Sequence, residues 1–437
     1  MEQKKNEQKK VPVATSNTKR KTKKITLADI PRVGAGTPAG EWLRRYWLVV
    51  GTVSELHDIP QAVKVLGEEL VLFRDPDGKL GLLGLHCPHR GTSLEYGDIE
   101  DGGIRCPYHG WLFDVGGQCL EMPAEPKDSK FAQKMKHLSY PVQELGGLIF
   151  AYMGHDGNNP PPLPKYSPLI DRGGQRQIEP VRHCDYNWFN FFENSADPAH
   201  ICILHRHAGY GDQTWGNHFF SYEEMPAFDF VEMDYGMKGV MTKPGPAPDT
   251  EFADEMSLAL PSIIQVGDTE FVHAKLDAAV LMRDGSQCEH ILFLTPNDDD
   301  HFMIFTVDYY TGPDRDFFEK LKRMRAKEIP QQEVKEYDRR KYMPFKGNVR
   351  QEDVMTQSTQ GLLGERQEQL GVSDRGVIKF RKIVTDAIET ALKGGVPKGV
   401  VAKDRAGKLF QLDSFTGVRT VRTGPHPNLL PKREKEN

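Results

Sequence analysis

Four residues constrain this chain more than anything else in it. Cys87 and His89 stand in C-P-H-R, and Cys106 and His109 in R-C-P-Y-H-G-W, with sixteen residues between His89 and Cys106. A proline follows each cysteine and glycines fall at 91, 97, 102, 103 and 110, so both pairs belong on tight loops. Two thiolates and two imidazoles presented this way can clamp a [2Fe–2S] cluster, cysteines on one iron and histidines on the other. Exchanging two thiolates for neutral imidazoles raises the potential to roughly −150 to +300 mV, against about −400 mV for plant-type clusters. The competing reading is a structural zinc site, which favours C-x2–4-C and H-x3–5-H pairs over two mixed pairs.

The stretch C-P-H-R-G-T-S-L through R-C-P-Y-H-G-W-L-F-D resembles the Rieske domain of ring-hydroxylating oxygenases. Respiratory Rieske proteins carry an extra cysteine in each box; here Cys119 lies well outside both, so the resemblance is to the oxygenase branch. Residues 187–205 add N-W-F-N-F-F-E-N-S-A-D-P-A-H-I-C-I-L-H, a D-x2-H-x4-H run of Asp197, His200 and His205. Two histidines and a distant carboxylate can form a facial triad on Fe(II), leaving positions open for dioxygen. Glu193, Asp197 and His200 fall at i, i+4 and i+7 on one helix face. Pro198 argues against a continuous helix, and an Asp197 N-cap with Pro198 at the first helical position suits a helix that breaks and restarts.

The iron motif of the same oxygenases resembles this run in sequence and in order along the chain. The resemblance implies His200 and His205 as iron ligands and Asp197 as the bridge to the cluster of a neighbouring subunit. Acidic candidates for the third ligand are Asp298, Asp299, Asp300, Asp338, Glu352 and Asp353. The segment from Gln351 to Asp374, with its L-G-x-S-D end at Leu370, Gly371, Ser373 and Asp374, looks like the phthalate-dioxygenase-like subgroup, which implies Asp353 at the opening of a helix. Asp298–Asp300, after Thr295-Pro296, reads instead as a hairpin turn. Gln357 and Ser358 depart from the bulky or acidic residues common in relatives. Phe189, Asn190, Phe192 and Arg206, with Tyr186 and His207, are candidates for the pocket wall, core packing being the other reading of the aromatic ones.

The chain has 437 residues, 38% hydrophobic and 27% charged, with a net charge of −5, which suits a globular protein of two or three domains. No apolar run approaches the roughly 18 residues that span a bilayer; no signal peptide is expected, and six scattered cysteines fit a reducing, cytoplasmic setting. Residues 1–24 hold nine Lys/Arg and two acidic residues, a basic tail expected to be disordered. A helical segment over 25–46 then leads into a Rieske domain over 47–155. A proline-rich linker over 156–168, a catalytic domain over 169–430 and a loose end over 431–437 complete the expected organisation. Strand patterns lie at Trp47–Thr52, Glu69–Arg74, Leu80–Leu85, Gly103–Arg105, Trp111–Phe113, Gly147–Met153, Ser262–Val266, Phe271–Leu276, His290–Thr295 and Phe302–Tyr309. Helical patterns lie at Arg315–Lys327, Gln351–Leu370 and Val377–Leu392. The class is α+β, which the resemblance sharpens to an all-β Rieske domain plus a helix-grip catalytic domain with a large antiparallel sheet flanked by helices.

Neither a plant-type cysteine cluster nor a G-x-G-x-x-G opening a βαβ unit is present. NAD(P)H is therefore expected to act only through a separate reductase, with or without a ferredoxin. The resemblance implies a homotrimer or a stacked hexamer of α subunits with no β partner, a small aromatic substrate, and neither membrane nor nucleic-acid partners. It also implies O2 activation, either as a dioxygenase giving a cis-dihydrodiol or as a monooxygenase such as an O-demethylase of a methoxyaromatic; an electron carrier without oxygenase activity is the remote alternative. Cys87→Ser or Cys106→Ser is expected to abolish the visible absorption of the cluster, because serine is a poor ligand for soft metals. His89→Cys should keep a cluster and lower its potential toward the all-thiolate range, readable by redox titration.

Overall fold

In a computed structural model, residues 24–205 apart from 156 and 158, 225–266 apart from 246, 287–319 and 349–420 are described. The N-terminal half builds three small antiparallel sheets. One joins β1 (Trp47–Thr52), β10 (Leu148–Tyr152) and β9 (Val142–Leu145), and a second joins β2 (Gln61–Val65), β3 (Glu68–Arg74) and β4 (Leu80–Gly84). The third, with β5 (Asp98–Glu100), β6 (Gly103–Arg105), β7 (Leu112–Phe113) and β8 (Cys119–Glu121), carries the second Cys/His loop. The short helix α2 (Phe131–Lys134) packs beside β8. The parallel pair β11 (Lys165–Tyr166) and β20 (Leu409–Phe410) ties the proline-rich stretch to the C-terminal region.

The rest is one nine-stranded sheet. Its path runs β12 (Gln175–Ile178), β19 (Phe302–Thr311), β18 (Gln287–Pro296), β17 (Ile263–Val266), β16 (Thr250–Ala259), β15 (Gly236–Pro244) and β14 (Ala227–Glu232). Off that path, β13 (Arg182–Cys184) pairs with β19 and β21 (Phe415–Thr420) with β16. Side chains alternate across a strand, and both faces are covered. Leu292, Leu294, Phe302 and Ile304 pack in one core with Trp188, Phe189 and Phe192 of α3 (Trp188–Asn194) and Phe380, Val384 and Ile388 of α6 (Arg375–Leu392). Ile291, Phe293, Phe305 and Val307, on the other face, pack against Trp47, Val49, Phe150 and Tyr152 of the β1–β10 sheet. The helix-facing side is the one that receives the metal-binding candidates.

Local chemistry explains the flanking helices. Thr37 caps α1 (Pro38–Leu43) by accepting the Gly40 N–H at 3.1 Å, with Pro38 at the first position. The helix buries Trp42 and Leu43 and packs on α6. In α6 the buried positions Val377, Phe380, Val384, Ala387, Ile388 and Ala391 recur every three or four residues, the spacing of one helix face.

Several expectations need correction. The helix expected over Gln351–Leu370 is α5 (Val349–Ser358) and stops twelve residues early. Gly361 and Gly364 follow with φ of +73° and +89°, a left-handed backbone that ends the helix and returns the chain toward α3. Strands β14, β15, β16 and β21 had no counterpart in the sequence reading. The strand expected over Phe271–Leu276 lies outside the described residues, as do residues 1–23, 431–437 and the part of the Arg315–Lys327 helix beyond Glu319. Phe380 stacks on Phe189 at 6.1 Å between centroids and meets Phe192 edge-on at 4.8 Å. Phe380→Ala should therefore cost about 3–5 kcal/mol, read as a lower denaturation midpoint with unchanged slope.

Candidate metal centres

The first centre is built from two loops of the same design. One follows β4 and the other joins β6 to β7. In each, the fourth residue after the cysteine is a glycine whose N–H bonds back to the cysteine carbonyl, Gly91 to Cys87 at 2.9 Å and Gly110 to Cys106 at 3.0 Å. Both glycines have φ near +80° (80° and 74°), where a side chain would be strained. Arg105 braces the second loop by donating to the Gly110 carbonyl at 2.6 Å while holding Glu100 and Glu121.

The four side chains separate by type. Cys87 and Cys106 are buried at 1% and 2% exposure and lie close enough for each thiol to feel the other. His89 is exposed, and its ring lies 4.4 Å from that of His109 and stacks on Trp111 at 4.6 Å. A thiol pair inside and an imidazole pair outside suit two metal ions, one per pair, as a [2Fe–2S] cluster requires. Burial, with a smaller contribution from Cys106, pushes the Cys87 thiol up to about 12. Forming the thiolate therefore draws on the metal–sulfur bond. All six cysteines are free; Cys119 bonds to the Glu121 carbonyl instead of joining the quartet.

The second centre depends on a helix break. Helix α3 ends at Asn194, and the chain turns through Ser195–Pro198 before α4 (Ala199–Leu204). The break falls where the proline implied, one residue out of register: Pro198 itself is the N-cap, and Asp197 stands before it. The Asp197 carboxylate accepts the Ala199 N–H at 3.2 Å, and burial lifts its carboxyl above the usual range. Its backbone carbonyl accepts from Nδ1 of His200. His205, just beyond α4, donates from Nδ1 to Glu352 at 2.9 Å, with Glu352 fully buried.

With both Nδ1 atoms engaged, both Nε2 atoms face Asp353 of α5, at 3.7 Å for His200 and 3.5 Å for His205. His200, His205 and Asp353 offer ligand atoms that all lie within 4.8 Å of one another. Two imidazoles and one carboxylate on one side of a metal leave other positions open. Burial pulls His205 down, but Asp353 and Glu352 together outweigh it and bring it to about 9; burial, reinforced by His205, lowers His200. Asn194, which the sequence reading passed over inside its own motif, donates to Asp353 at 3.3 Å and lies 3.2 Å from His200 Nε2.

Other candidates fall elsewhere. Glu352, weighed above as a ligand, sits on the outer edge of His205, and Asp353 lies within α5 and not at its opening. Asp298, Asp299 and Asp300 fill the β18–β19 turn, where Asp298 holds Lys64 and His301 and Asp299 accepts the Val33 N–H. Phe189 and Phe192 are core, fully buried among Trp188 and Phe380. Asn190 bonds the Gln357 and Gly361 carbonyls, so it too faces structure. Arg206, His207 and Asp338 lie outside the described residues. A small cavity beside His200 is lined by Asn194, Pro198, Met241, Asp254 and Met256, and its wall thus comes from β15 and β16.

Comparison with known proteins gives four findings. Residues 46–142 match the family described as the Rieske [2Fe-2S] domain. The oxygenase subunit of tert-butanol monooxygenase / tert-amyl alcohol desaturase from Aquincola tertiaricarbonis is 45% identical over 41% of this chain, but that alignment spans only 38% of the relative. The 5,5'-dehydrodivanillate O-demethylase oxygenase subunit from Sphingobium sp. is 31% identical over 88% of this chain and 85% of that protein. Among solved structures, caffeine-bound NdmA of Pseudomonas putida CBB5 superposes with a TM-score of 0.60 at 22% identity, covering 82% of this chain and 94% of that one, which concerns the fold. Among the described residues no helix is long and apolar enough to cross a membrane.

Glu352→Ala removes the partner that fixes the His205 ring, and loss of such a support lowers metal affinity about 10–100-fold. Iron titration should show that weakening at the mononuclear site with the visible spectrum of the cluster unchanged. Asp353→Ala should lose the mononuclear iron altogether.

Proposed function

Because this chain belongs to the Rieske-type non-haem iron ring-hydroxylating oxygenases, we propose that it is the terminal oxygenase component of such a system, acting on an aromatic acid. One observation carries the reading: His200, His205 and Asp353 converge within 4.8 Å in a chain that also presents a paired Cys87/Cys106 and His89/His109 set. The cluster would supply single electrons and the mononuclear Fe(II) a place to activate O2. Cys87, His89, Cys106 and His109 would hold the cluster; His200, His205 and Asp353 would hold the iron. The chain's own residues prepare that site. The Asp197 carbonyl and Glu352 fix the Nδ1–H tautomers and turn both Nε2 atoms inward, and Asn194 orients the carboxylate. Met241 and Met256 give the adjoining cavity an apolar wall.

The reaction on the ring is proposed as dioxygenation to a cis-dihydrodiol. The second reading, O-demethylation of a methoxyaromatic, is favoured by the relative matched over 85% of its length, whose name is an O-demethylase oxygenase subunit. Products from a panel of methoxylated and unsubstituted aromatic acids separate the two: formaldehyde for demethylation, a cis-diol for dioxygenation. Stoichiometric zinc without acid-labile sulfide in anaerobically prepared protein would sink both.

A separate reductase, with or without a ferredoxin, is proposed to reduce the cluster. A ring of α subunits, trimeric or stacked as a hexamer, is proposed to join His109 of one chain to Asp197 of the next. Two features support this: the imidazole side of the quartet is turned outward, and Ile203, on the helix that starts after Asp197, is 47% exposed. Asp197→Asn keeps the shape but removes the charge. The expected variant is a folded oligomer with near-normal iron whose pre-reduced cluster is oxidised orders of magnitude more slowly in a single turnover. Electron transfer at the parent rate would show that Asp197 is not the bridge.

A further inference from the structure

The two faces joined in the proposed ring carry opposite charges that a single chain leaves unpaired. On the cluster side, Arg90 follows His89 directly in the chain and is exposed. Its guanidinium lies over the Tyr108 ring, 5.3 Å from the centroid, and that ring lies 3.9 Å from the ring of His109. No carboxylate pairs with Arg90 among the described residues. Its charge nevertheless reaches the cluster face, since partial burial, His89 and Arg90 together make His109 harder to protonate.

The other face combines the break before α4 with the start of α6. A side chain at Gly376 would collide with the Ala196 carbonyl, so the first turn of α6 presses on the residue that precedes Asp197. Asp374 stands just before that turn and uses one carboxylate oxygen to accept the Gly371 N–H at 2.6 Å. No cation pairs with Asp374 among the described residues. Arg375 and Lys379, the cations nearest in sequence, donate instead to the carbonyls of Phe228 and Phe230. Burial lifts the Asp197 carboxyl and Asp374 adds to that lift, so the two carboxylates lie close enough to repel. Val372, in the same turn as Asp374, is 85% exposed, a large apolar side chain of the kind that an interface covers.

We infer that Arg90 of one chain forms an ion pair with Asp374 of the next and fixes the register in which His109 meets Asp197. This rests on the ring of α subunits proposed above and names the contact that sets it. Position makes the argument: Arg90 flanks His109 through Tyr108, and Asp374 flanks Asp197 through Ala196 and the first turn of α6. Docking the inner pair therefore brings the outer pair together. Within one chain the two residues form no ion pair, so each chain offers one charge to each neighbour, as a head-to-tail ring requires. The guanidinium then offsets the repulsion between Asp374 and Asp197, and opposite charges set register across an interface. Neither residue is a metal ligand; both are positioning residues.

Charge-swap variants of the full-length protein, loaded with cluster and iron, test the contact. Dissociation of the ring is read by sedimentation velocity over a dilution series, and the visible spectrum confirms that each variant keeps its cluster. Arg90→Glu or Asp374→Arg alone sets like charges against each other and should weaken the ring about tenfold or more. Combining the two restores an opposite pair in reverse and should return the ring to within about threefold of the parent, a non-additivity that two separate structural roles do not produce. Arg90→Gln with Asp374→Asn preserves size and the Gly371 contact, and serves where a reversal disturbs the cluster loop or the start of α6. In that pair, the second change should add little to the first. Single variants that leave the ring unaffected, or a double variant whose loss is the sum of its parts, overturn the inference. An assembled parent with uncoupled residues overturns this contact alone; a parent that sediments as a monomer removes the ring reading with it.

Discussion

The catalytic half depends on one contact, the face of α5 against the end of α3. Glu352 and Asp353 are neighbours in sequence, yet one grips the outer edge of His205 and the other faces its inner edge. Those carboxylates arrive about 150 residues after the histidines they serve, so the site exists only when the sheet between has formed. A second set of polar contacts keeps the two helices together. Gln357 accepts from Tyr186, and its carbonyl takes the Asn190 amide. Beyond the end of α5, Arg366 holds Glu193 and Asn190, while Arg381 spans Glu193 and Glu368. Arg381 and Glu193 are both about 5% exposed, and such pairs are tolerated only when every charge finds partners. Here each does.

The large sheet converts that contact into a two-sided molecule. Its strands alternate between a helix-facing core and a core shared with the β1–β10 sheet, so one layer supports both halves. The Thr295 hydroxyl donates to the Val49 carbonyl at 2.6 Å, a direct tie between the sheets. The helices that carry the second set of metal-binding candidates thus rest on a sheet whose central strands β18 and β19 are almost wholly buried.

What the sequence disclosed follows from how local each feature is. The Cys/His quartet and the D-x2-H-x4-H run sit in short segments, where spacing and turn residues carry the chemistry; Pro198 even announced the helix break. Asp353 needed a family resemblance, because nothing within its own helix separates it from Glu352. Phe189 and Phe192 illustrate a different limit. Aromatic residues beside a metal motif suit a pocket or a core equally well, and only the position of Phe380, nearly two hundred residues on, decides for core. Strands β15 and β16 went unread because Gly236, Gly239 and Lys238 interrupt one and Glu251, Asp254 and Glu255 another. Charged residues there are satisfied across strands, as Lys238 is by Glu255 at 3.1 Å, a pairing that no single segment displays.

The methionines of the cavity wall have a consequence for how such a protein diversifies. Met241 and Met256 are unbranched, with three rotatable bonds and a polarizable sulfur, so the surface they present re-packs around guests of different outline. Shape discrimination at that wall is weak by construction. On β18 and β19, by contrast, Leu292, Leu294, Phe302 and Ile304 are locked in one core with Trp188, Phe189 and Phe192 of α3, so a change of volume there is felt by the helix that leads into the metal motif. Plasticity and fixity are thus assigned to different strands of one sheet.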